Sequence, residues 1–255
     1  MEDRKIKEIE YYDVGARRQF TEQGKDFEGF SPSILGSYQF LYKIVSSACK
    51  NKKVLDFGCG NGIHSGFLAE HASQLIGIDL SEVSLEVARK AHGTRRDKVS
   101  FIKMDCEALE FPDQSFDVVF DGGTFSSLDF QKALAEITRV LKSDGQLVGI
   151  ETFGHNPIAN AKRVLNRLTG KRTAWAASHI VTQKEIEALR QHFKEVEIYY
   201  FHLISLFAFP FLSLPGGYFV LRLLEGIDRA LLYLPFLQIY AFKVVFVCRN
   251  PHYAP

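Results

Sequence analysis

The four cysteines, Cys49, Cys59, Cys106 and Cys248, are scattered with no C-x-x-C pair among them. That spacing argues against a zinc site or a disulfide framework and suits a reducing compartment. No histidine and carboxylate cluster has metal-ligand spacing, so no metal is expected. Excess charge is also missing: 31 Lys and Arg against 30 Asp and Glu give a net charge of +1. A nucleic-acid binder usually shows a basic footprint, so no nucleic-acid partner is expected. No uninterrupted apolar run reaches the roughly 18–20 residues of a membrane-spanning helix. The opening MEDRKIKEIE is charged and polar, which predicts no signal peptide and a cytoplasmic location. Internal repeats, low-complexity tracts, a P-loop, an HExxH motif and a nucleophile elbow are absent from the sequence.

What is present is a hydrophobic fraction of 46% in 255 residues, enough for one large α/β domain or one domain with an elaborated cover. Its organising stretch is VLDFGCGNGIHSGFLAEHASQLIGID, from Val54 to Asp79. Lys53 to Phe57 is short and apolar, as a strand buried on both faces should be. Gly58, Gly60 and Gly62 remove side chains where backbone must bend or meet a ligand. A helical pattern follows, then the strand Leu75–Ile78, with Asp79 at its carboxyl end. Ligands of open α/β sheets bind outside the carboxyl ends of the strands, so this is a nucleotide-like cofactor site. A dinucleotide fingerprint would need a third glycine at position 63, which is Ile63, or at 65, which is Ser65.

Upstream, YYDVGARRQFTEQGKDFEGF is aromatic and interrupted by Gly15, Gly24 and Gly29; it reads either as a flap over the cofactor or as an arm on the sheet edge. A helix is expected from Pro32, capped by Ser31, with Ile34, Leu35, Tyr38, Leu41, Tyr42 and Val45 on its apolar face. Ser81 caps the next helix and Gly93 ends it. Further strands are expected at Val99–Met104, Phe116–Phe120, Gln146–Thr152, Val196–Phe201 and Lys243–Cys248. FQKALAEITRVLK forms a helix, Ser143-Asp144-Gly145 a turn, and Thr182 with Glu185 a capping box. The alternation predicts an α/β fold with a doubly wound parallel sheet. Residues 202–238 are an apolar insertion divided by Pro210, Pro215 and Pro235 around a helix, LRLLEGIDRALLYL. It would cover a substrate pocket, touch a membrane peripherally, or form a homodimer face. The domain division expected is a helical flap at 1–50, a core at 51–201 and 239–255, and the cover at 202–238.

The pattern Asp56-x-Gly58-x-Gly60-x-Gly62 resembles motif I of the class I S-adenosylmethionine-dependent methyltransferases, in particular the small-molecule branch with the ubiquinone and menaquinone methyltransferases. Met104-Asp105-Cys106, followed by Phe111-Pro112 and Ser115-Phe116-Asp117, is similar to that family's D-x-x-x-L-P-F-x-D-x-S-F-D pattern, with Leu109 to Asp113 in a different order. The resemblance implies S-adenosylmethionine as cofactor and a Rossmann-like sheet of seven strands, mostly parallel, with an antiparallel last strand. It assigns Asp56, Gly58 and Gly60 to the methionine moiety, with Cys59, Asn61 and Gly62 completing the loop. Asp79, with Leu80 beside it, sits where a carboxylate accepts both ribose hydroxyls. Asp105 and the Cys106 backbone meet adenine, and Asp121 stands beside the sulfonium and methyl, or binds the cofactor amine or the substrate. The implied reaction is in-line transfer of a methyl group to a small, lipophilic or aromatic acceptor. His155 and His179, expected on the substrate side, are the candidate catalytic bases. Two other readings compete. A nicotinamide-dependent oxidoreductase would share Asp79 but needs the missing glycine spacing. A non-catalytic scaffold of the same fold would be expected to lose the loop glycines or Asp79, all of which are intact.

Overall fold

Period-two alternation of apolar side chains decides the architecture. Leu55, Phe57, Ile76, Ile78, Val119 and Leu147 pack on one side of a sheet, and Val54, Leu75, Val118, Phe120, Val148 and Ile150 on the other. A sheet apolar on both faces must be covered by helices on both faces. The structure, a computed structural model, describes residues 2–21, 34–92, 97–168 and 173–252.

Its strands are β1 (Lys53–Phe57), β2 (Gln74–Asp79), β3 (Val99–Lys103), β4 (Phe116–Asp121), β5 (Leu141–Thr152), β6 (Phe193–Phe201) and β7 (Lys243–Pro251). They form one seven-stranded sheet in the order β3-β2-β1-β4-β5-β7-β6. Pairing is parallel from β3 through β5, and β7 runs antiparallel between β5 and β6. The helices are α1 (Asp3–Thr21), α2 (Gly36–Ala48), α3 (Ser65–His71), α4 (Glu82–His92), α5 (Phe130–Val140), α6 (Pro157–Leu168), α7 (Ala174–Ser178), α8 (Gln183–His192), α9 (Gly217–Leu231) and α10 (Pro235–Gln238). α5 and α8 cover one face of the sheet, α2 and α3 the other.

Several boundaries differ from expectation. α1 runs without interruption through Gly15, because one glycine costs a long helix only about 1 kcal/mol. Gly24, Gly29, the Ser31–Pro32 helix start and the Gly93 helix end lie outside the described residues. α2 begins at Gly36, where Leu35 offers no side-chain cap. Within the expected 1–50 segment, Leu41 and Val45 of α2 and Cys49 just after it are fully buried in the sheet core. The turn at Ser143-Asp144-Gly145 is absorbed into β5 as an irregularity, since Leu141 already pairs with Phe116 before Gln146 pairs with Val118. β6 starts at Phe193 because Phe193 pairs with Pro251, extending both final strands. The expected capping box is present, with the Thr182 N–H donating to Glu185 Oε2 at 2.8 Å.

The insertion is a 3-10 segment, Ser205–Phe211, followed by α9 and α10. Two buried polar groups fasten it. Asp228 accepts from the N–H groups of Leu203 (3.0 Å), Ile204 (2.8 Å) and Ser205 (3.1 Å). His202, at φ 62°, contacts Ser205 Oγ through Nδ1 and Ser37 Oγ through Nε2, each at 2.9 Å. Burial, then the nearby Lys243 and Arg222, push the His202 pKa down to about 3, so its 3.8 Å approach to Glu225 is no ion pair at neutral pH. Asp228→Ala strips three N–H groups of their acceptor. It is expected to lower the unfolding free energy by about 3 kcal/mol, read as a fall in the urea midpoint, with Asp228→Asn losing less.

Candidate active site

β1 delivers its carboxyl end directly into the glycine loop. Gly58 has φ +68°, and a Cβ there would lie 2.3 Å from Thr124 Cγ2. Thr124 fills that space because its hydroxyl donates to the carbonyls of Phe57 (3.1 Å) and Gly58 (3.3 Å). Gly60, at φ +52°, has nothing within 4 Å of where a Cβ would stand, so bare backbone faces open space. Asp79 pins the loop from β2: its Oδ2 accepts from Gly60 N at 2.9 Å and its Oδ1 from Ser81 N at 2.8 Å. Ser81 in turn caps α4, its Oγ accepting from Ser84 N at 3.0 Å.

These elements enclose a cavity of about 250 Å³. Asp56, Gly58, Cys59, Gly60, Asn61, Asp79, Leu80 and Cys106 all line it, as the sequence implied. Gly62 does not; its carbonyl is engaged by His92 Nε2 at 2.9 Å, and it packs toward α4. Asp105 stands behind the wall, bound to Lys5 Nζ at 2.6 Å and accepting from Glu107 N at 2.9 Å. Asp121 is wholly buried beneath Gly122 and Gly123, which do line the cavity.

Neither expected base belongs to the described cavity wall. Asn156 Oδ1 accepts from Ile158 N and Ala159 N, starting α6 and leaving His155 exposed with its ring against Phe153. His179 ends α7, stacked on Trp175 at 3.6 Å with its Nδ1 3.0 Å from the Trp175 carbonyl. The histidine that lines the cavity is His64, one residue before α3. Its Nδ1 lies 2.9 Å from Tyr42 Oη and its ring stacks on Tyr38. Its Cδ2–Nε2 edge lies against Gly122, where a Cβ would be 2.7 Å from Cδ2. Burial, then Lys243, push its pKa down to about 4, so the imidazole is neutral at pH 7. In the sequence His64 only opened a helix; its place two residues beyond the last loop glycine was the available signal.

α1 closes the cavity with one face, Lys5, Glu8, Ile9, Tyr12 and Ala16. It is tied down by Arg4 to Glu107 (2.8 Å), by Lys5 to Asp105, by Ser81 Oγ donating to Asp13 (2.5 Å) and by Tyr12 to Ser127 (3.2 Å).

The cavity floor is short of positive charge. Burial pushes the Asp56 carboxyl up to about 7, against the pull of the Ser65 hydroxyl at 2.5 Å and with help from Asp79. Burial also raises Asp79, although Ser81, Gly60 and Leu80 donate N–H bonds to it. Asp121 is raised well above the carboxylate range by burial and by Glu151, and its Oδ2 has no partner. Glu8 Oε2 is likewise buried without a partner, while Thr173 binds its other oxygen. Lys5, the lining cation, is consumed by Asp105 and Glu107. Open backbone at Gly60, unpartnered acidic oxygens and a floor of buried carboxyls fit a nucleoside ligand that carries positive charge.

Known proteins resemble the chain over this same region. Residues 55–149 match the family model described as a methyltransferase domain. The eEF1A lysine and N-terminal methyltransferase of Mus musculus is 36% identical over 144 residues, 51% of this chain and 20% of that protein. The demethylmenaquinone methyltransferase of Thermus thermophilus is 37% identical over 103 residues, 39% of this chain and 47% of that protein. The chain therefore spans between a fifth and about half of the curated relatives it matches. A solved structure of a phosphoethanolamine N-methyltransferase from Haemonchus contortus shares the fold, with a TM-score of 0.61 and 20% identity over 95% of this chain and 60% of that one. The glycine loop, β2, β3 and β4 fall inside the matched residues, so residues 55–149 are the part of this chain that is similar to a methyltransferase domain.

Proposed function

We propose that this chain moves a methyl group from S-adenosylmethionine to a small, lipophilic or aromatic acceptor by in-line displacement. The observation that carries the cofactor half is the cation-poor floor: Asp56, Asp79 and Asp121 are all held toward their protonated forms. The bound cofactor supplies a methyl activated on a sulfonium. Asp79 would hold the ribose, the Gly58–Gly60 backbone and Asp56 the amino-acid end, and Asp121 would face the positive charge from below. For the acceptor half, Ile9, Tyr12, Ile63 and Leu128 give the cavity apolar walls. The relative named for demethylmenaquinone supports a lipophilic acceptor. The relative named for eEF1A supports a second reading, a protein lysine or N-terminus. At about 250 Å³ the cavity lies below the usual roughly 300–1,000 Å³ of ligand pockets. A small acceptor suits a cavity of this size better than a protein chain does.

We place the proton acceptor at His64 rather than at His155 or His179. In the tautomer whose Nδ1–H donates to Tyr42 Oη, Nε2 keeps its lone pair on the edge that faces Gly122. A pKa of about 4 makes this imidazole a weak base that stays unprotonated across the physiological range.

Three outcomes test the proposal. Isothermal titration should show binding of S-adenosylmethionine and S-adenosylhomocysteine but not NADH, with Asp79→Ala weakening both by at least about tenfold. Failure of both adenosyl ligands to bind would leave the non-catalytic scaffold as the better reading. Affinity for the cationic cofactor should rise with pH between 5 and 8, since Asp56 with a pKa of about 7 must lose its proton as the cation binds; Asp56→Asn should flatten that profile. In an acceptor screen with lipophilic phenols and quinones, beside a lysine peptide, His64→Ala should lower kcat about a hundredfold with little change in cofactor Kd. The wild-type kcat should persist as pH falls through 6.5, where an ordinary histidine would protonate.

A further inference from the structure

The insertion carries a helix built inside out. A surface helix ordinarily buries its apolar stripe and shows its charges to water. On α9 the acidic and paired charges turn inward: Asp228 holds the Leu203–Ser205 backbone, Glu225 Oε1 accepts from Gly36 N at 2.8 Å, and Arg222 donates to the Ile34 carbonyl at 2.9 Å while pairing with Glu225. The outward side presents Phe219 (72% exposed) and Leu223 (57%), continued by Tyr233 (81%) and Phe236 (66%). Among the described residues, twelve of the twenty exposed large hydrophobics lie between Phe207 and Tyr240, and four more, Ile158, Val164, Leu165 and Leu168, lie on α6. α6 adjoins the insertion, since Asn156 Nδ2 donates to the Tyr240 carbonyl at 2.7 Å. Scattered exposed apolar residues need no explanation, but a segregated face of this kind marks an interaction surface.

The charges around this face say what it meets. Between 203 and 242 the acidic residues are Glu225 and Asp228, both turned into the protein, while Arg229 is exposed. On α6 there is no Asp or Glu, Lys162 is exposed, and Arg163 turns in to donate to the Phe153 carbonyl at 3.0 Å. With Lys162 and Arg229 as the exposed charges of its rim and no exposed acid on α6, α9 or α10 among the described residues, this apolar, aromatic face complements the interface of an anionic bilayer. The same rim disfavours a two-fold dimer, which would set cations against their own copies. Among the described residues no helix is long and apolar enough to cross a membrane, so the face would lie on one.

We propose that α9, α10, the Ser205–Phe211 segment and α6 together dock this protein on the surface of an anionic lipid bilayer. The rings of Phe219, Tyr233 and Phe236 enter the headgroup region, and Arg229 and Lys162 meet lipid phosphates. Docking is independent of the methyl acceptor's identity. Its test is sedimentation of the full chain with vesicles of phosphatidylcholine alone or mixed with phosphatidylglycerol, at low and high salt. The protein should bind the mixed vesicles, about tenfold more weakly without phosphatidylglycerol, and release in high salt. Phe219→Asp with Leu223→Asp should cut binding about tenfold, with cofactor affinity and thermal midpoint unchanged. Arg229→Glu with Lys162→Glu should remove the preference for the anionic lipid while sparing the fold. No binding to either vesicle, or equal binding by the Phe219 and Leu223 variant, overturns the proposal. So does a wild-type dimer that this variant splits, which would make the face an interface between copies.

Discussion

Burying acidic groups is the constraint from which the rest follows. Asp56, Asp79 and Asp121 stand at or near the carboxyl ends of β1, β2 and β4, three neighbouring strands; Asp56 and Asp121 are almost wholly removed from water and Asp79 is half-buried at the cavity wall. Such a group must be hydrogen-bonded, protonated or matched by a cation. The fold supplies the first remedy in part, through Ser65 Oγ and the N–H groups of Gly60, Ser81 and Thr124. Those bonds also tie the glycine loop to β2 and Thr124 to β4, so satisfying the acids and shaping the loop are one event. The second remedy is the raised pKa of all three. The third is left open, and it is the one that the proposed cationic cofactor would supply.

α1 sits over this floor and repeats the theme at its edge. Arg4 and Lys5 neutralise Asp105 and Glu107, whereas Glu8, on the cavity-lining face of the helix, keeps a buried oxygen, Oε2, without a partner. The helix is therefore held at its amino end by ion pairs and at its middle by Asp13 and Tyr12, with its inward face available to ligand. On the far side, His202 and Asp228 join α2, β6 and the insertion through buried polar contacts instead of an apolar core. Among the described residues, the fully buried apolar cluster under the insertion is small, Leu35, Ala208 and Leu221, with partly buried neighbours such as Phe209 and Leu224. Its remaining hydrophobic side chains are thereby left for the outside.

Much of the core was legible because its signals are local. A strand buried on both faces is apolar throughout, a loop that must adopt positive φ needs glycine, and a carboxylate at a strand end follows directly from the strand's length. Asp56, Gly58, Gly60 and Asp79 were therefore readable from spacing, and the capping box at Thr182 from two residues three apart. Boundaries were less readable where pairing decides them: Phe193 is a strand residue because Pro251 lies opposite, and Leu141 because Phe116 does.

The sequence by itself determined the sheet, the glycine loop and the acids at the strand ends, since each is specified by neighbours along the chain. Tertiary structure decided which histidine faces the cavity, that Asp105 meets Lys5 across about a hundred residues, and which side of α9 points outward. His64, His155 and His179 all occupy short links beside helices and differ only in what packs around them. α9 shows both apolar and charged residues to any periodicity argument, and nothing local says which set the domain will claim. Gly36, Ile34 and the 203–205 backbone claim the charges, because buried N–H and C=O groups need polar partners more than the core needs one further apolar stripe.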